Sequence, residues 1–251
     1  MTALASGQID MLARNTTWTM TRDASHGNVF VAVSYYDGQA FMVPKSLGVK
    51  SLKELDGATV CVQTGTTTEK TTADYFRSHG MQYKTVVFDT TEATQGAFLS
   101  GRCDAYTSDM SDLAGVRTVA QDPSKFDILP ETITKEPLGP AVRRGDWEFF
   151  EIVRWSFIAF LNAEELGVKQ ANVDDMRKTS KDPNVMRLVG TGEDMGRMLG
   201  LDKDWSYRII KQVGNYGESW TKYFGPTSPL NLPRGMNTVS YTHLTLPTKR
   251  I

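Results

Sequence analysis

The sequence predicts an α/β fold of two lobes joined by two crossovers. Three observations lead there. Short apolar runs of strand length alternate with helical stretches of about 10–15 residues, the spacing of βαβ units and a parallel sheet. Near Leu138 that alternation gives way to successive helices. The α/β stretch 44–137 therefore lies between an early piece, 1–43, and a helical return, 138–237, which makes one lobe discontinuous.

The elements follow in chain order. The opening Met1-Thr2-Ala3-Leu4 reads as the middle of a helix, with no basic start, apolar h-region or cleavage site of a signal peptide. Apolar runs over 9–13, 29–33 and 39–43 read as strands, the last ending at Pro44. Ser51 stands three residues before Glu54, the spacing of a capping box that opens a short helix. A buried strand over 58–63 leads through Gly65 into a helix over 67–79, stopped by Gly80. The pattern repeats as strand 83–88, helix 90–101, strand 104–107, helix 109–116 and strand 126–129. One more strand, 139–143, precedes helices over 146–166, 173–179, 183–189, 194–199, 205–213 and 216–224. Segments 42–45 and 134–138 are then neighbouring crossovers; a pair of crossovers makes a hinge, with a cleft beside it as the ligand site. The stretch 238–251 shows neither strand alternation nor a helical apolar stripe and reads as a non-native tail.

Composition excludes several functions. The 28 Lys+Arg against 29 Asp+Glu leave a formal net charge of −1, without the basic excess of nucleic-acid binding. Hydrophobic residues at 40% and charged residues at 23% match ordinary globular usage, which argues against disorder. No apolar run approaches the roughly 18 residues of a membrane span; the best, 149–161, is broken by Glu151 and Arg154. His26, His79 and His243 lie in no metal-ligand spacing, and neither a G-x-S-x-G elbow nor a Walker loop occurs. No metal, cofactor or catalytic residue is therefore expected. Gly190-Thr191-Gly192 with Gly196 has the wrong spacing for a dinucleotide loop and follows a helix, so it reads as a turn. Cys61 and Cys103 permit one disulfide without requiring it.

Three polar loops carry the chemistry. Gly65-Thr66-Thr67-Thr68-Glu69 opens a helix after a strand, where backbone N–H groups and the positive helix end suit an anion; simple N-capping by Thr66 or Thr67 would explain the same residues. Arg14-Asn15-Thr16-Thr17-Trp18-Thr19-Met20-Thr21-Arg22 reads as a polar loop. Within it Arg22 can grip a carboxylate in bidentate fashion, Arg14 adds a second cation and Trp18 a flat apolar wall; the alternative is a solvated loop with a structural tryptophan. Gly101-Arg102-Cys103-Asp104-Ala105-Tyr106-Thr107-Ser108-Asp109 places Asp109 at the carboxyl end of a strand, where α/β sheets bind ligands. Asp109 could equally cap the next helix. Together the loops complement a zwitterion.

These strings, with Gly7-Gln8-Ile9-Asp10, the run from Ser51 to Glu69, Gly214-Asn215-Tyr216-Gly217-Glu218-Ser219 and Gly225-Pro226, resemble the periplasmic binding proteins of ABC transporters for polar amino acids. The nearest subgroup is the general L-amino-acid-binding one, over about 1–237. The resemblance implies a type II periplasmic-binding-protein fold, with a first lobe left incomplete because the family's signal peptide and first βα units precede the match. It implies that Arg22 holds the ligand's α-carboxylate, joined by the Thr67 N–H, and that Asp109 accepts the α-ammonium. Asn15 and Thr17 would add polar contacts, and Arg14 and Trp18 would set side-chain selectivity. It further implies an L-amino acid and permease subunits as partners, a monomer, and a periplasmic location. A dehydratase-like enzyme on the same scaffold would need a general acid at a leaving group. A receptor's sensor domain would need a membrane span.

Overall fold

Local capping and strand alternation build the chain in the order the sequence suggests, with shorter pieces at the start. The computed structural model describes residues 1–25 and 27–238; His26 and the expected tail beyond 238 lie outside them. The first segment holds α1 (Thr2–Ala5), β1 (Met11–Leu12), α2 (Met20–Ser25) and β2 (Asn28–Phe30). β3 (Tyr35–Asp37) leads into β4 (Gln39–Pro44), followed by β5 (Thr59–Gln63), α3 (Thr67–Ser78), β6 (Lys84–Phe88), α4 (Thr91–Leu99), β7 (Ala105–Asp109), α5 (Met110–Val119), β8 (Phe126–Ile128) and β9 (Glu136–Leu138). The return carries β10 (Ala141–Arg143), α6 (Trp147–Glu165), α7 (Val173–Thr179), α8 (Pro183–Leu188), α9 (Trp205–Val213) and α10 (Tyr216–Tyr223).

Contacts divide the chain into one unit of Met1–Tyr35 with the return from Leu138, and a second of Tyr36–Pro137. The sequence reading placed the first change at 43/44. It falls eight residues earlier because β4 pairs with β7 and β8, inside the second unit's sheet.

The second unit is a five-stranded sheet in the order β6-β5-β7-β4-β8. β5 runs parallel to β6 and β7, but β4 runs antiparallel to β7 and β8, so the sheet is mixed rather than wholly parallel. The reason is connectivity: α3 and α4 are crossover helices that force their flanking strands parallel, while β4 enters straight from a crossover segment and no helix dictates its direction. Side chains alternate across this sheet. Phe41, Val43, Val60 and Ala105 face the α3 side with Phe76, while Ala40, Met42, Cys61 and Tyr106 face α4 and α5 with Phe98 and Leu113. Cys61 and Cys103 are bridged, with Cα atoms 5.7 Å apart, so the geometry that the sequence left open is met. At the Ser51 box the outcome is a single 3-10 turn, Leu52–Leu55, in which Ser51 accepts from the Lys53 N–H. Glu54 Oε2 accepts from the Lys50 N–H at 3.3 Å, not from Ser51, so the reciprocal box does not form.

The other unit has an antiparallel sheet in the order β1-β10-β2. Leu4, Phe30 and Ala141 pack on one side and Val31, Val142 and Phe150 on the other. The helices of the return form a separate core around Ala159, Ala163, Val173, Val185, Leu188 and Ile210. Gly139 ties this unit's loops: a Cβ there would lie 2.0 Å from the Ala32 carbonyl oxygen, so only glycine fits.

Candidate functional site

In the second unit, Thr66 is the N-cap of α3, its Oγ1 accepting from the Glu69 N–H at 3.1 Å and donating to the Gln63 carbonyl at 2.8 Å. Glu69 Oε2 reaches back to the Gly65 N–H at 2.8 Å. The cap and the turn thus satisfy each other, which leaves Thr67 at the first helical position, half-buried. Capping and a polar helix end were alternatives in the sequence; here Thr66 does the first and Thr67 stands at the second.

Asp109 ends β7, 6% exposed. Its Cα partner across the ladder is Gln39. Cross-strand partners project to one face, and residues two apart along a strand share it. Ala105 and Phe41 line the α3 face, so Asp109 and Gln39 project there too, on the side where α3 begins. Within this unit the structure therefore places Thr67 and Asp109 on the same face of the sheet. Asp109 also occupies the N-cap position of α5 but makes no side-chain cap bond. The Ser111 N–H is taken instead by Asp37 Oδ2 at 3.3 Å.

Gln39 and Asp37 escaped the sequence reading. Gln39 is fully buried, and its Nε2 donates to Thr72 Oγ1 at 2.8 Å, Thr107 Oγ1 at 2.9 Å and the Thr68 carbonyl at 3.2 Å, while Thr71 donates to its Oε1. One amide thereby fixes the first turns of α3 against β7, two residues before Asp109. A polar residue opening an otherwise apolar strand was the available signal. Burial pushes the Asp37 carboxyl above its usual range, against the pull of hydrogen bonds from Ser111 and Gly38; the nearby Glu136 adds to the rise.

In the other unit, residues 14–22 are not one loop. Arg22 sits on α2, a six-residue helix that Thr19 opens by accepting the Arg22 N–H at 3.2 Å. The Arg22 Nη1 donates to the Thr17 carbonyl at 3.0 Å, so the guanidinium is held beside the segment expected to work with it. Thr17 is buried and bridges Leu138 in antiparallel fashion. Trp18 stacks on Phe30, centroids 5.4 Å apart and planes 10° from parallel, and packs on the Leu4 and Ala141 core. Trp18 is half-buried, so part of its surface belongs to this core. Arg14 and Asn15 lie exposed on a turn closed by the Thr16 N–H to the Arg14 carbonyl at 2.7 Å.

Among the described residues no group of three or more His, Cys, Asp or Glu side chains could hold a metal ion, and no helix is long and apolar enough to cross a membrane.

A chain divided into two units by a double crossing, one of them an α/β sheet with polar groups at its carboxyl edge, is the layout of type II periplasmic binding proteins. Residues 1–132 match the family described as NMT1/THI5 like. The general L-amino acid-binding periplasmic protein AapJ of Rhizobium johnstonii is 52% identical over 238 residues, 94% of this chain and 70% of that one. The glutamate/glutamine/aspartate/asparagine-binding protein BztA of Rhodobacter capsulatus is 50% identical over 236 residues, 94% of this chain and 70% of that one. A solved ABC-transporter periplasmic binding protein from Brucella ovis with glutathione bound superposes with a TM-score of 0.91 at 52% identity, covering 94% of this chain and 74% of that one. The chain belongs to the family of amino-acid-binding proteins of ABC transporters and has the type II periplasmic-binding-protein fold.

Proposed function

We propose that this protein captures L-amino acids as zwitterions in the periplasm and hands them, as a monomer, to the permease subunits of an ABC transporter. Arg22 takes the α-carboxylate by a bidentate, charge-assisted pair, and the Thr67 N–H at the start of α3 adds to it. Asp109 takes the α-ammonium. Thr17 and Asn15 supply further polar contacts, and Arg14 and Trp18 bias the choice of side chain. Capture is non-covalent, so it calls on no catalytic residue, cofactor or metal.

The observation that carries this reading is Asp109: a buried carboxylate at the end of a central strand, in a helix N-cap position it does not serve. The relatives AapJ and BztA are named for amino acids. The Brucella protein widens the class, since glutathione carries a free α-carboxylate and α-ammonium on the α-carbon of its γ-linked glutamyl residue. γ-Glutamyl peptides are thus a second ligand set for the same groups.

Calorimetric titration with the twenty amino acids and glutathione tests the proposal. Several polar L-amino acids should bind, and a chain that binds none of them is not an amino-acid receptor. Asp109→Asn should weaken those ligands by at least about 30-fold, the scale of a buried charge losing its partner. It should leave their deaminated analogues nearly unchanged. Equal losses for both would remove Asp109 from the ammonium site.

A further inference from the structure

Two buried carboxylates stand at the start of α5, and the helix uses the less obvious one. Asp109 holds the N-cap position, from which an aspartate ordinarily accepts the N–H of the second or third helical residue. Its carboxylate makes no such bond. The second helical N–H, that of Ser111, goes to Asp37 Oδ2 at 3.3 Å, from the end of β3. Asp37 Oδ1 accepts the neighbouring Gly38 N–H at 2.8 Å, and the Gly38 carbonyl accepts the Met110 N–H at 2.9 Å. Residues 37 and 38 therefore close the first turn of α5 from outside the helix. The approach is tight, for a Cβ on Gly38 would lie 2.9 Å from the Thr134 carbonyl. Asp37 and Asp109 are 7% and 6% exposed, so water is a poor substitute acceptor for the α5 N–H.

We propose that Asp37 is a positioning residue for ligand selectivity: by capping α5 in place of Asp109, it keeps the Asp109 carboxylate on the α3 face for the ligand's α-ammonium. The proposal rests on the amino-acid reading above. Without Asp37, the Ser111 N–H needs an acceptor, and the N-cap side chain two residues away is the nearest by geometry. Asp109 then turns to the helix. The ligand loses its countercharge, although no residue that touches it has changed.

The signature is a ratio rather than an affinity. The 251-residue chain is titrated with L-glutamine and with its deaminated analogue, 4-carbamoylbutanoate, for wild type and Asp37→Ala. Wild type should favour L-glutamine by at least about 30-fold, the worth of a paired buried ammonium. In Asp37→Ala that preference should fall below about threefold, with the affinity for 4-carbamoylbutanoate little changed. A residue that merely supported the fold would weaken both ligands alike and leave the ratio standing, which would overturn the proposal. Should Asp37→Ala not fold, Asp37→Asn decides: its single acceptor oxygen cannot serve both Gly38 and Ser111, and the ratio should drop at least about threefold. An unchanged ratio in that variant overturns it equally. A wild-type ratio near one would instead overturn the role of Asp109, and with it the amino-acid reading on which this rests. A wild type that bound neither ligand would sink both.

Discussion

Arg22 shows how much one side chain can be asked to do. Its Nη1 donates to the Thr17 carbonyl, and its planar fork has the geometry to grip a carboxylate. Arg22→Ala should therefore act twice. Affinity for L-amino acids should fall at least about 30-fold, because a desolvated carboxylate loses a bidentate partner. Stability should fall by about 1 kcal/mol as the Thr17 carbonyl loses its donor. Titration and urea unfolding on the same sample separate the two; an affinity within tenfold of wild type would remove Arg22 from the site. Arg22, Thr67 and Asp109 were proposed from local strings, since a polar residue after a strand or at a helix start is a pattern that neighbouring residues record. Asp37 and Gln39 were not, because what marks them is burial and long-range hydrogen bonding across 74 and 68 positions, which no local pattern records.

At the scale of elements, apolar periodicity was legible even in short helices, and polar segments were not. The helices over 173–179 and 205–213 appear where periodicity put them, as Val173–Thr179 and Trp205–Val213. α2 reads as loop in the sequence because its polar run Met20–Ser25 carries no apolar period; its contacts with β2 and the Thr19 cap hold it instead. The direction of β4 was equally hidden, since side-chain alternation is the same whichever way a strand runs. The disulfide binds two of these elements: Cys61 lies within β5 and Cys103 just before β7, 42 positions apart. Closing a loop of that size restricts the unfolded chain, an effect worth about 2–5 kcal/mol. Replacing both cysteines by alanine should lower the unfolding free energy of the second unit by that amount in urea. A change under about 1 kcal/mol would mean that the packing of β5 against β7 suffices without the bridge.

For the molecule as a whole, stability should carry a component that runs against the usual trend with pH. Surface carboxylates such as the half-buried Asp127, hydrogen-bonded to Lys50 and beside Lys45, are held below their usual range, and their contribution is lost as pH falls. Asp37 is the opposite case. Burial raises its carboxyl, so between the unfolded and folded values the native state binds the extra proton. Its contribution is complete below the unfolded value of about 3.9 and disappears as pH rises through the raised folded one. Melting wild type and Asp37→Asn side by side isolates this. The melting temperature of wild type relative to the variant should fall as pH rises from about 4 through the raised folded value. A difference that is flat, or that grows with pH, would show that hydrogen bonds from Ser111 and Gly38 outweigh burial.

The bridge between Cys61 and Cys103 also has a topological result. It closes a covalent ring that contains α3, β6 and α4, with Thr67 inside the ring and Asp109 just beyond it. A protease that severs the backbone anywhere inside that ring, for example at the exposed Gly80 turn, leaves one molecule with both halves of the second unit still tethered. Such a nicked protein should migrate as a single full-length band on a non-reducing denaturing gel and fall into two pieces once thiol is added, whereas a cut outside the ring separates the chain under either condition.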